Sequence, residues 1–285
     1  MKKNLFLLIC SLTLLPLAGC ARQNSGKGNR IRVISYNVRM SGQPKVDLDN
    51  FWDNRKQASV DMVEKEQPTV MGIQEGCPDQ IAFLDANLPH YKRIGVGRDD
   101  GKAGGEMMAI YYDTNKVEVG ENGTFWLSET PGEVSRGWDG ACRRTCTWGI
   151  FTVKATGKKF CFFNTHLDHK GKQARAEGLK LIVAKMAELV PAGMPVFLSA
   201  DFNSETGNPI FDPLKAVMKD ARETARKTDR GTTFNGFGKR EGQVVVIDHI
   251  FYDNARADRF AVLRGDYGAP YISDHYPIVL DARLE

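Results

Sequence analysis

Several short apolar runs in this chain end or begin at a polar motif. The apolar run 196–200 leads into Asp-Phe-Asn at 201–203, and Ser-Asp-His at 273–275 leads into the apolar run 276–280. Short runs rich in β-branched and aromatic residues are typical of buried strands, which places the polar groups at the rim of a sheet. Carboxylates, amides and imidazoles held rigidly at such a rim suit metal-assisted phosphate chemistry. Either motif alone fits an Asx-turn that only ends a strand equally well.

The predicted elements favour two packed sheets with helices outside them. Apolar patterning predicts strands at 31–36, 70–73, 91–96, 106–112, 116–120, 146–153, 159–165, 196–200, 243–251, 259–264 and 276–282. Helices are predicted at 53–66, 79–87 and 172–190, and Pro209 could open another. Strands outnumber helices and short turns join many of them, which favours mixed sheets over a doubly wound parallel sheet. No repeat or linker divides residues 31–285, so we expect a single domain there.

The first 30 residues are predicted to be a leader and a tether. Two lysines precede an apolar stretch at 5–17 that is too short for a stable membrane span and is typical of a signal peptide at 1–19. Leu-Ala-Gly-Cys at 17–20 resembles a bacterial lipobox, which implies cleavage before Cys20 and lipid attachment to it. Residues 20–30 then serve as a polar tether. We expect an envelope protein anchored by its lipid, with the outer membrane favoured and the exposed side left open.

The predicted domain carries little net charge. The formal net charge of the chain is +4, and the first 30 residues contain five basic residues and no acidic ones, so residues 31–285 sum to −1. Proteins built to hold long nucleic acids usually carry a basic excess over their folded surface. The balance therefore argues against a polymer substrate, although a local basic patch remains compatible with it.

The cysteines of the domain leave two alternatives open. An envelope protein folds in an oxidising compartment, where disulfides form. Four cysteines allow three pairings, and free buried thiols fit the sequence equally well. These residues are Cys77, Cys142, Cys146 and Cys161.

Polar groups recur at the ends of five predicted strands and inside a sixth, at 247–250. They lie at Asn37, 74–75, 164–169, 201–203, 247–250 and 274–275. Asp248 stands inside an apolar strand, where a buried carboxylate is costly unless it is paired. A histidine is a natural partner, because a carboxylate orients the imidazole ring and stabilises its protonated form.

Taken in order, these motifs resemble the endonuclease/exonuclease/phosphatase superfamily. The resemblance covers residues 31–285, and the segments 124–131 and 145–148 match the pattern of its secreted or lipid-anchored bacterial members. The resemblance implies an α+β fold, a four-layer α/β/β/α sandwich of two mixed, mainly antiparallel sheets with outer helices. It also implies an active site at one rim and a divalent cation, usually Mg²⁺, with Mn²⁺ or Ca²⁺ as alternatives.

The resemblance assigns the metal and the attacking water to one set of residues. Glu75 would be the main metal ligand, with Asn37 close by and Asp274 binding the cation directly or through water. Mg²⁺ takes few protein oxygens, so such a small set is sufficient. Asp201 would orient or deprotonate the attacking water, and Asn203 would hold that water or the phosphate.

The resemblance assigns the phosphoryl group to a second set. Asp248 would pair with His275, which would polarise the phosphoryl group, while His166 would stabilise charge on the non-bridging oxygens. Electrostatic placement of this kind is typically the largest catalytic term. Arg144 would bind the substrate phosphate, with Asp168 as a further substrate-binding residue.

One departure from the family pattern bears on the substrate. Nucleolytic members often carry an acid two residues after the first-strand Asn, and here that position is Arg39. The change weakens a nuclease assignment but leaves a phosphoesterase assignment intact. Arg143 remains a less favoured alternative to Arg144 for the phosphate contact.

These observations predict a metal-dependent phosphoesterase that hydrolyses a phosphodiester or phosphomonoester. A small sugar or inositol phosphate or a phospholipid headgroup is preferred, because the domain is nearly neutral and the chain has no room for an accessory domain. The alternatives are an envelope nuclease acting on DNA or RNA and a non-catalytic ligand-binding lipoprotein on the same scaffold. We expect a monomer with no obligatory protein partner, attached to the membrane through its N-terminal lipid.

Overall fold

The computed structural model describes residues 28–205 and 207–285. The predicted signal peptide, Cys20 and most of the tether lie outside the described residues. The strands are β1 (Arg30–Asn37), β2 (Val70–Gln74), β3 (Tyr91–Ile94), β4 (Ile110–Asp113), β5 (Val117–Trp126), β6 (Thr145–Val153), β7 (Lys159–His166), β8 (Val196–Asp201), β9 (Lys219–Asp220), β10 (Lys227–Thr228), β11 (Asp248–Asp253), β12 (Ala255–Val262) and β13 (Ile278–Leu284). The helices are α1 (Pro44–Asp47), α2 (Trp52–Glu66), α3 (Pro78–Asn87), α4 (Lys172–Leu189), α5 (Asp212–Lys215) and α6 (Ala221–Thr224), with 3-10 turns at Leu48–Asn50 and Pro209–Phe211.

The strands form two mixed sheets in which antiparallel pairs dominate. The first sheet has seven strands in the order β10-β12-β13-β1-β2-β4-β3, and the second has six in the order β5-β6-β7-β8-β11-β9. Only β1–β2, β10–β12 and β7–β8 run parallel among the described pairs. The predicted hairpin at 155–158 joins β6 to β7, with Gly157 at the positive φ of +70° that the turn requires.

Three apolar clusters separate four layers. One cluster fills the space between the sheets, a second lies between the first sheet and the helices α2 and α3, and a third lies between the second sheet and α4 with α5. β2 is buried at every position because both of its faces are covered, which explains its continuous apolar sequence. The described members of these clusters lie between Ile31 and Leu284 and form three apolar cores. The predicted α+β sandwich with outer helices is confirmed.

Strand direction brings the polar motifs to one rim. The parallel pair β1–β2 ends with Asn37 beside Gln74, and the parallel pair β7–β8 ends with His166 beside Asp201. The antiparallel β11 starts at the same rim, with Asp248 opposite Asp201. The topology of both sheets therefore agrees with the prediction that the polar motifs lie at one rim.

Some predicted boundaries were wrong for local reasons. Residues 243–247 are not a strand, because Val245 pairs with the backbone of the loop at Thr233 and Phe234 instead of a ladder. The strand predicted at 106–112 begins only at Ile110, since Met107 makes isolated bridges to Gly76 and Gly97. Pro209 opens a 3-10 turn that continues into the single turn α5.

The described residues show the state of the cysteines and the character of the helices. The four cysteines of the domain are free thiols, two of them fully buried at Cys146 and Cys161. None of the helices in residues 28–205 and 207–285 is long and apolar enough to cross a membrane.

Candidate active site

Asp201 lies at the centre of the polar rim and is 2% exposed. Its Oδ1 accepts the backbone N–H of Asn203 at 2.8 Å, and its Oδ2 accepts Nδ2 of Asn37 at 3.0 Å. The Nε2 atoms of His166 and His275 lie 3.4 and 3.7 Å from Oδ2. Burial raises the pKa of Asp201 to about 7 against the opposing charge of His275. Its carboxylate can therefore exchange a proton near neutral pH.

Glu75 follows β2 with a positive φ of +63°, which is unusual for a residue with a side chain. Such a conformation is a sign of functional constraint when the surroundings enforce it. Oε1 accepts Nδ2 of Asn37 at 3.0 Å, and Oε2 accepts the backbone N–H of Met40 at 2.9 Å. Burial raises the pKa of Glu75, but these two donors and the charges of His275 and Arg39 outweigh it and hold the pKa below its usual value. Glu75 is thus an ionised carboxylate at the rim.

Glu75 and Asp274 both line a cavity at the rim, and their charges interact. Burial and the charge of Glu75 raise the pKa of Asp274, which shows that the two carboxylates repel each other. A hard cation between two such carboxylates would relieve this repulsion. Asn37 uses its amide nitrogen on Glu75 and Asp201 and its oxygen on the backbone N–H of Arg39. In this arrangement Asn37 positions the two carboxylates, and its role as a metal ligand stays a prediction.

Three groups of metal-binding residue types lie at or beside the rim within the described residues. Glu75, His166 and Asp201 bring one ligand atom each within 4.8 Å of one another, and so do Asp201, Asp248 and His275. In the second cluster, a protonated imidazole has no lone pair to offer. A third cluster at Cys142, Asp168 and His169 surrounds the guanidinium of Arg144, whose charge repels a cation.

Asp248 and His275 form the predicted buried pair. Nδ1 of His275 donates to both carboxylate oxygens of Asp248, at 3.1 and 2.9 Å, and the ring packs edge-on against Phe234 at 4.9 Å between centroids. Burial lowers the pKa of His275, but the charges of Asp248, Asp201 and Asp274 raise it well above its usual value. His275 is therefore an imidazolium whose Nε2 faces Asp201.

His166 has the opposite charge state. Nδ2 of Asn203 donates to Nε2 of His166 at 2.8 Å and to the carbonyl of Leu167 at 3.0 Å. Burial, with the nearby charges of Arg144 and His275, lowers the pKa of His166 well below its usual value. His166 is thus a neutral imidazole with its proton on Nδ1, since Nε2 accepts a hydrogen bond.

Arg144 is buried beside the rim with part of its guanidinium unpaired. Its Nη2 contacts Nδ1 of His169 at 3.2 Å, and its Nε lies 3.6 Å from Oδ2 of Asp168. Its Nε and Nη1 have no hydrogen-bond partner within the described part of the chain. Asp168 accepts the backbone N–H groups of Cys142 and Gly171, which hold its pKa well below the usual range despite burial. Asp168 lies behind Arg144 and does not line the cavity, so its contacts fit a positioning role rather than the predicted substrate contact.

A cavity of about 530 Å³ opens over these residues, a volume typical of small-molecule sites. Its wall includes three charged side chains that sequence reasoning did not assign to the site. Arg98 and Glu106 form a buried bidentate pair, with both N···O distances at 2.7 Å. Arg39 is held by Asp47 at 2.9 Å and lies 3.9 Å from Asp274. Arg98 and Glu106 belong to no sequence motif. Their place at the site is seen only in the structure, where the loop before β4 brings the two side chains together.

Comparisons with known proteins agree with this architecture. The structure superposes on an endonuclease/exonuclease/phosphatase from Bacteroides vulgatus with a TM-score of 0.85 and 35% identity, covering 90% of this chain and 99% of that one. It superposes on a mannosyl-6-phosphatase from Bacteroides thetaiotaomicron with a TM-score of 0.84 and 37% identity, covering 88% of this chain and 99% of that one. An uncharacterized protein of Acanthamoeba polyphaga mimivirus is 26% identical over 275 residues, which are 88% of this chain and 99% of the viral protein.

The match to the family is continuous along the domain. A family model for the Endonuclease/Exonuclease/phosphatase family matches residues 34–275, from β1 to the end of the His275 motif. Members of this family are hydrolases that act on phosphate esters. The resemblance seen in the strand-end motifs is confirmed, and the chain belongs to the Endonuclease/Exonuclease/phosphatase family.

Proposed function

We propose that this protein is a divalent-metal-dependent phosphoesterase that removes phosphate from a small sugar-like phosphomonoester. The observation that carries the proposal is Asp201, a buried carboxylate with a pKa of about 7 that faces the imidazolium of His275 and the neutral imidazole of His166. A base with a pKa near the working pH is suited to accept a proton from water. The likeness to a mannosyl-6-phosphatase over 99% of that chain supports a sugar phosphate as the substrate.

Glu75 and Asp274 are the residues that would hold the cation, with Mg²⁺ preferred for an oxygen-only set. The bound cation would neutralise charge on the phosphate and assist the departure of the alkoxide. Asn37 would keep Glu75 and Asp201 in place through its two N–H groups. The remaining steps belong to side chains of the domain itself.

Asp201 would accept a proton from the attacking water while the oxygen of that water bonds to phosphorus and the ester P–O bond breaks. His275 would place its positive Nε2 beside the phosphoryl oxygens, kept protonated by Asp248. Arg144 lines the cavity, and its guanidinium would donate to further phosphate oxygens. The cation, His275 and Arg144 would together stabilise the negative charge of the phosphoryl group, as phosphoryl transfer requires.

Hydrolysis assays test the function, with inorganic phosphate measured for the monoesters, nitrophenol for the diester and fragment length for the oligonucleotide. The purified protein would be offered a hexose 6-phosphate, an inositol monophosphate, a nitrophenyl diester and a single-stranded oligonucleotide, with MgCl₂ or with EDTA. We expect release from the hexose phosphate that EDTA abolishes, and no release by the Asp201→Asn variant. Turnover of only the diester or the oligonucleotide would contradict the proposed substrate class. No turnover of any substrate with Mg²⁺, Mn²⁺ or Ca²⁺ would favour a binding protein instead.

We further propose that the domain acts at the bacterial envelope, anchored through lipid on Cys20 and monomeric. The lipobox-like motif at 17–20 supports this proposal. A Cys20→Ser variant should be left unprocessed or released from the membrane fraction. A processed, mature-size Cys20→Ser protein that still fractionates with membranes would show that lipid on Cys20 is not the anchor.

A further inference from the structure

A second cavity lies at the opposite rim of the first sheet from Asp201. It encloses about 450 Å³, and its wall contains seven basic residues and two acidic ones. β1 begins at this rim with Arg30 and ends at the active-site rim with Asn37. Seven steps of about 3.3 Å place the two rims roughly 23 Å apart. We call this surface the basic rim, and its cations are Arg30, Arg32, Lys116, Arg226, Lys227, Arg259 and Arg283.

The sheet register places like charges directly opposite each other at the basic rim. Arg283 of β13 pairs with Arg30 of β1 on one side and with Arg256 of β12 on the other. Like charges at directly opposed positions destabilise a sheet. The same sheet face is covered by α2 and α3 near Ile34 and Val279, and the arginines lie two to four residues beyond that covered part. The register thus places like charges beside each other on a part of the sheet that α2 and α3 do not cover.

Neighbouring carboxylates do not neutralise the basic rim. Four carboxylates pair with cations of the rim, fewer than its seven basic residues: Asp281 with Arg32 and Arg259, Asp258 with Arg283 and Arg256, Glu66 with Arg32, and Asp113 with Lys116. Three exposed cations form no salt bridge within residues 28–205 and 207–285, namely Arg30, Arg226 and Lys227.

The charge of the rim is also segregated from the rest of the domain. The four basic residues before Gly28 account for the whole formal charge of +4, so residues 28–285 sum to zero. The cavity wall alone carries +5, from seven basic and two acidic residues, which leaves −5 on the remainder of the domain. The basic rim is therefore a local positive patch on a domain with no net charge, and such a patch attracts a negatively charged surface.

We propose that the basic rim docks the domain on an anionic phospholipid surface, with the active site facing away from the membrane. The opposed arginines, the cations without a salt bridge and the positive charge of the rim are all complementary to a partner rich in phosphate groups. The position of the rim, close in sequence to Cys20, favours a membrane as this partner. Arg30 follows Cys20 by ten residues, and a ten-residue segment spans at most about 35 Å, so a lipid on Cys20 would hold this rim nearest the bilayer.

This proposal rests on the proposed anchoring at Cys20 for its choice of partner, and it adds a second attachment. One acyl signal combined with a polybasic patch gives more stable membrane attachment than either alone. Docking through the basic rim would turn the cavity over Asp201 towards the aqueous phase, roughly 23 Å from the lipid headgroups. The substrate would then be a soluble phosphate ester rather than a phospholipid of the same membrane.

Vesicle co-sedimentation of a protein comprising residues 28–285 tests the proposal without any lipid anchor. The vesicles would contain 30% phosphatidylglycerol in phosphatidylethanolamine, and pure phosphatidylcholine vesicles would serve as the neutral surface. We expect binding to the anionic vesicles only, weakening as NaCl rises from 50 to 300 mM because salt shortens the Debye length. A failure to bind the anionic vesicles at 50 mM NaCl would overturn the proposal, whatever the catalytic activity.

A charge-reversal variant identifies the surface that binds. The variant is Arg30→Glu, Arg226→Glu and Lys227→Glu, and a milder version replaces the same residues with Gln. The matched control reverses three exposed lysines outside the basic rim: Lys45→Glu, Lys102→Glu and Lys239→Glu. Each basic residue near an anionic surface contributes about fivefold to binding, so the first variant should lose roughly a hundredfold or more. The control should bind almost as tightly as wild type, apart from the general effect of lowering the net charge by six units.

Two further readouts complete the test. Hydrolysis of a soluble phosphate ester by the rim variants should equal that of wild type, which confirms that they fold. An equal loss of vesicle binding in the rim and control variants would overturn the proposal, since binding would then follow net charge alone. Binding of a single-stranded oligonucleotide that depends on the basic rim, with vesicle binding unchanged in the rim variants, would assign the surface to nucleic acid and also overturn it.

Discussion

Asn164 should be the most costly single polar side chain to remove beneath the active site. It is fully buried in β7, between the two sheets and two residues before His166. Its Nδ2 donates to the carbonyls of Ile73 and Ala109, at 2.7 and 3.0 Å. Its Oδ1 accepts Nε2 of Gln74 at 2.7 Å and Oγ of Ser199 at 3.0 Å. Three of these four bonds cross from the second sheet to the first, so Asn164 fixes how the sheets meet below the catalytic rim.

The magnitude follows from the number of bonds. A typical buried hydrogen bond contributes about 1 kcal/mol net, so Asn164→Ala should lower the free energy of unfolding by about 4 kcal/mol. That is a large share of the roughly 5–15 kcal/mol of a native domain. At about 2–4 °C per kcal/mol, the midpoint of thermal unfolding should fall by about 8–16 °C. The packing around Asn164 is tight, since a Cβ on the facing Gly72 would lie 2.5 Å from the Asn164 side chain.

Urea unfolding in EDTA measures the effect without any contribution from a bound cation. Ser199→Ala is the matched control, since it removes only the bond to Asn164 and should cost about 1 kcal/mol. The two variants should therefore differ by about 3 kcal/mol. If Asn164→Ala costs no more than Ser199→Ala, a water or a shift of the sheets replaces the lost bonds, and the reasoning from bond count is refuted.

Three further predictions concern the catalytic rim. Glu75→Gln should abolish Mg²⁺ binding by calorimetry while the fold survives, and equal affinity in both proteins would remove Glu75 from the metal site. Asp201→Asn should lower turnover by about two to four orders of magnitude with little change in KM, as loss of a general base does; a rise in KM with unchanged turnover would assign Asp201 to binding instead. In Asp248→Asn, His275 loses the carboxylate that raises its pKa, so its active imidazolium should deprotonate at lower pH than in wild type. The alkaline limb of the pH–rate profile should then move to lower pH, and an unchanged limb would show that His275 does not depend on Asp248.

The strand-end motifs could be predicted because their signal is local. An apolar run followed by a polar group encodes both a strand and its end, and chain direction then brings such ends together. The same reasoning failed at Val244-Val245-Val246, three β-branched residues that predict a strand. Val244 is 68% exposed, and this segment bonds irregularly to the loop at 232–234. β propensity describes fitness for a pleated, half-buried surface, and here tertiary contacts provide no such surface.

Site residues could be predicted where alternation along a strand decides which side chains face the rim. They could not be predicted where the fold of a loop decides it. Asp248 and His249 are neighbours in β11, so their side chains point to opposite faces. Asp248 meets His275 at the catalytic rim, whereas His249 contacts Asp220 at 3.0 Å among aromatic rings on the other face. The pair of Arg98 and Glu106 depends on the fold of a loop, which no periodic pattern in the sequence encodes.

Arg39 shows how one departure from the family pattern changes the electrostatics of the rim. It is held by Asp47 at 2.9 Å and lies 3.9 Å from Asp274, at the position where nucleolytic relatives often carry an acid. A fixed guanidinium there stabilises the ionised forms of Glu75 and Asp274, since both carboxylates feel its charge. The same charge opposes a second cation next to Asp274, because two positive groups so close repel strongly in a partly buried site. If the proposed function holds, we therefore expect one cation at Glu75 and Asp274, with Arg39 and Arg144 supplying further positive charge around the terminal phosphate of a small ester.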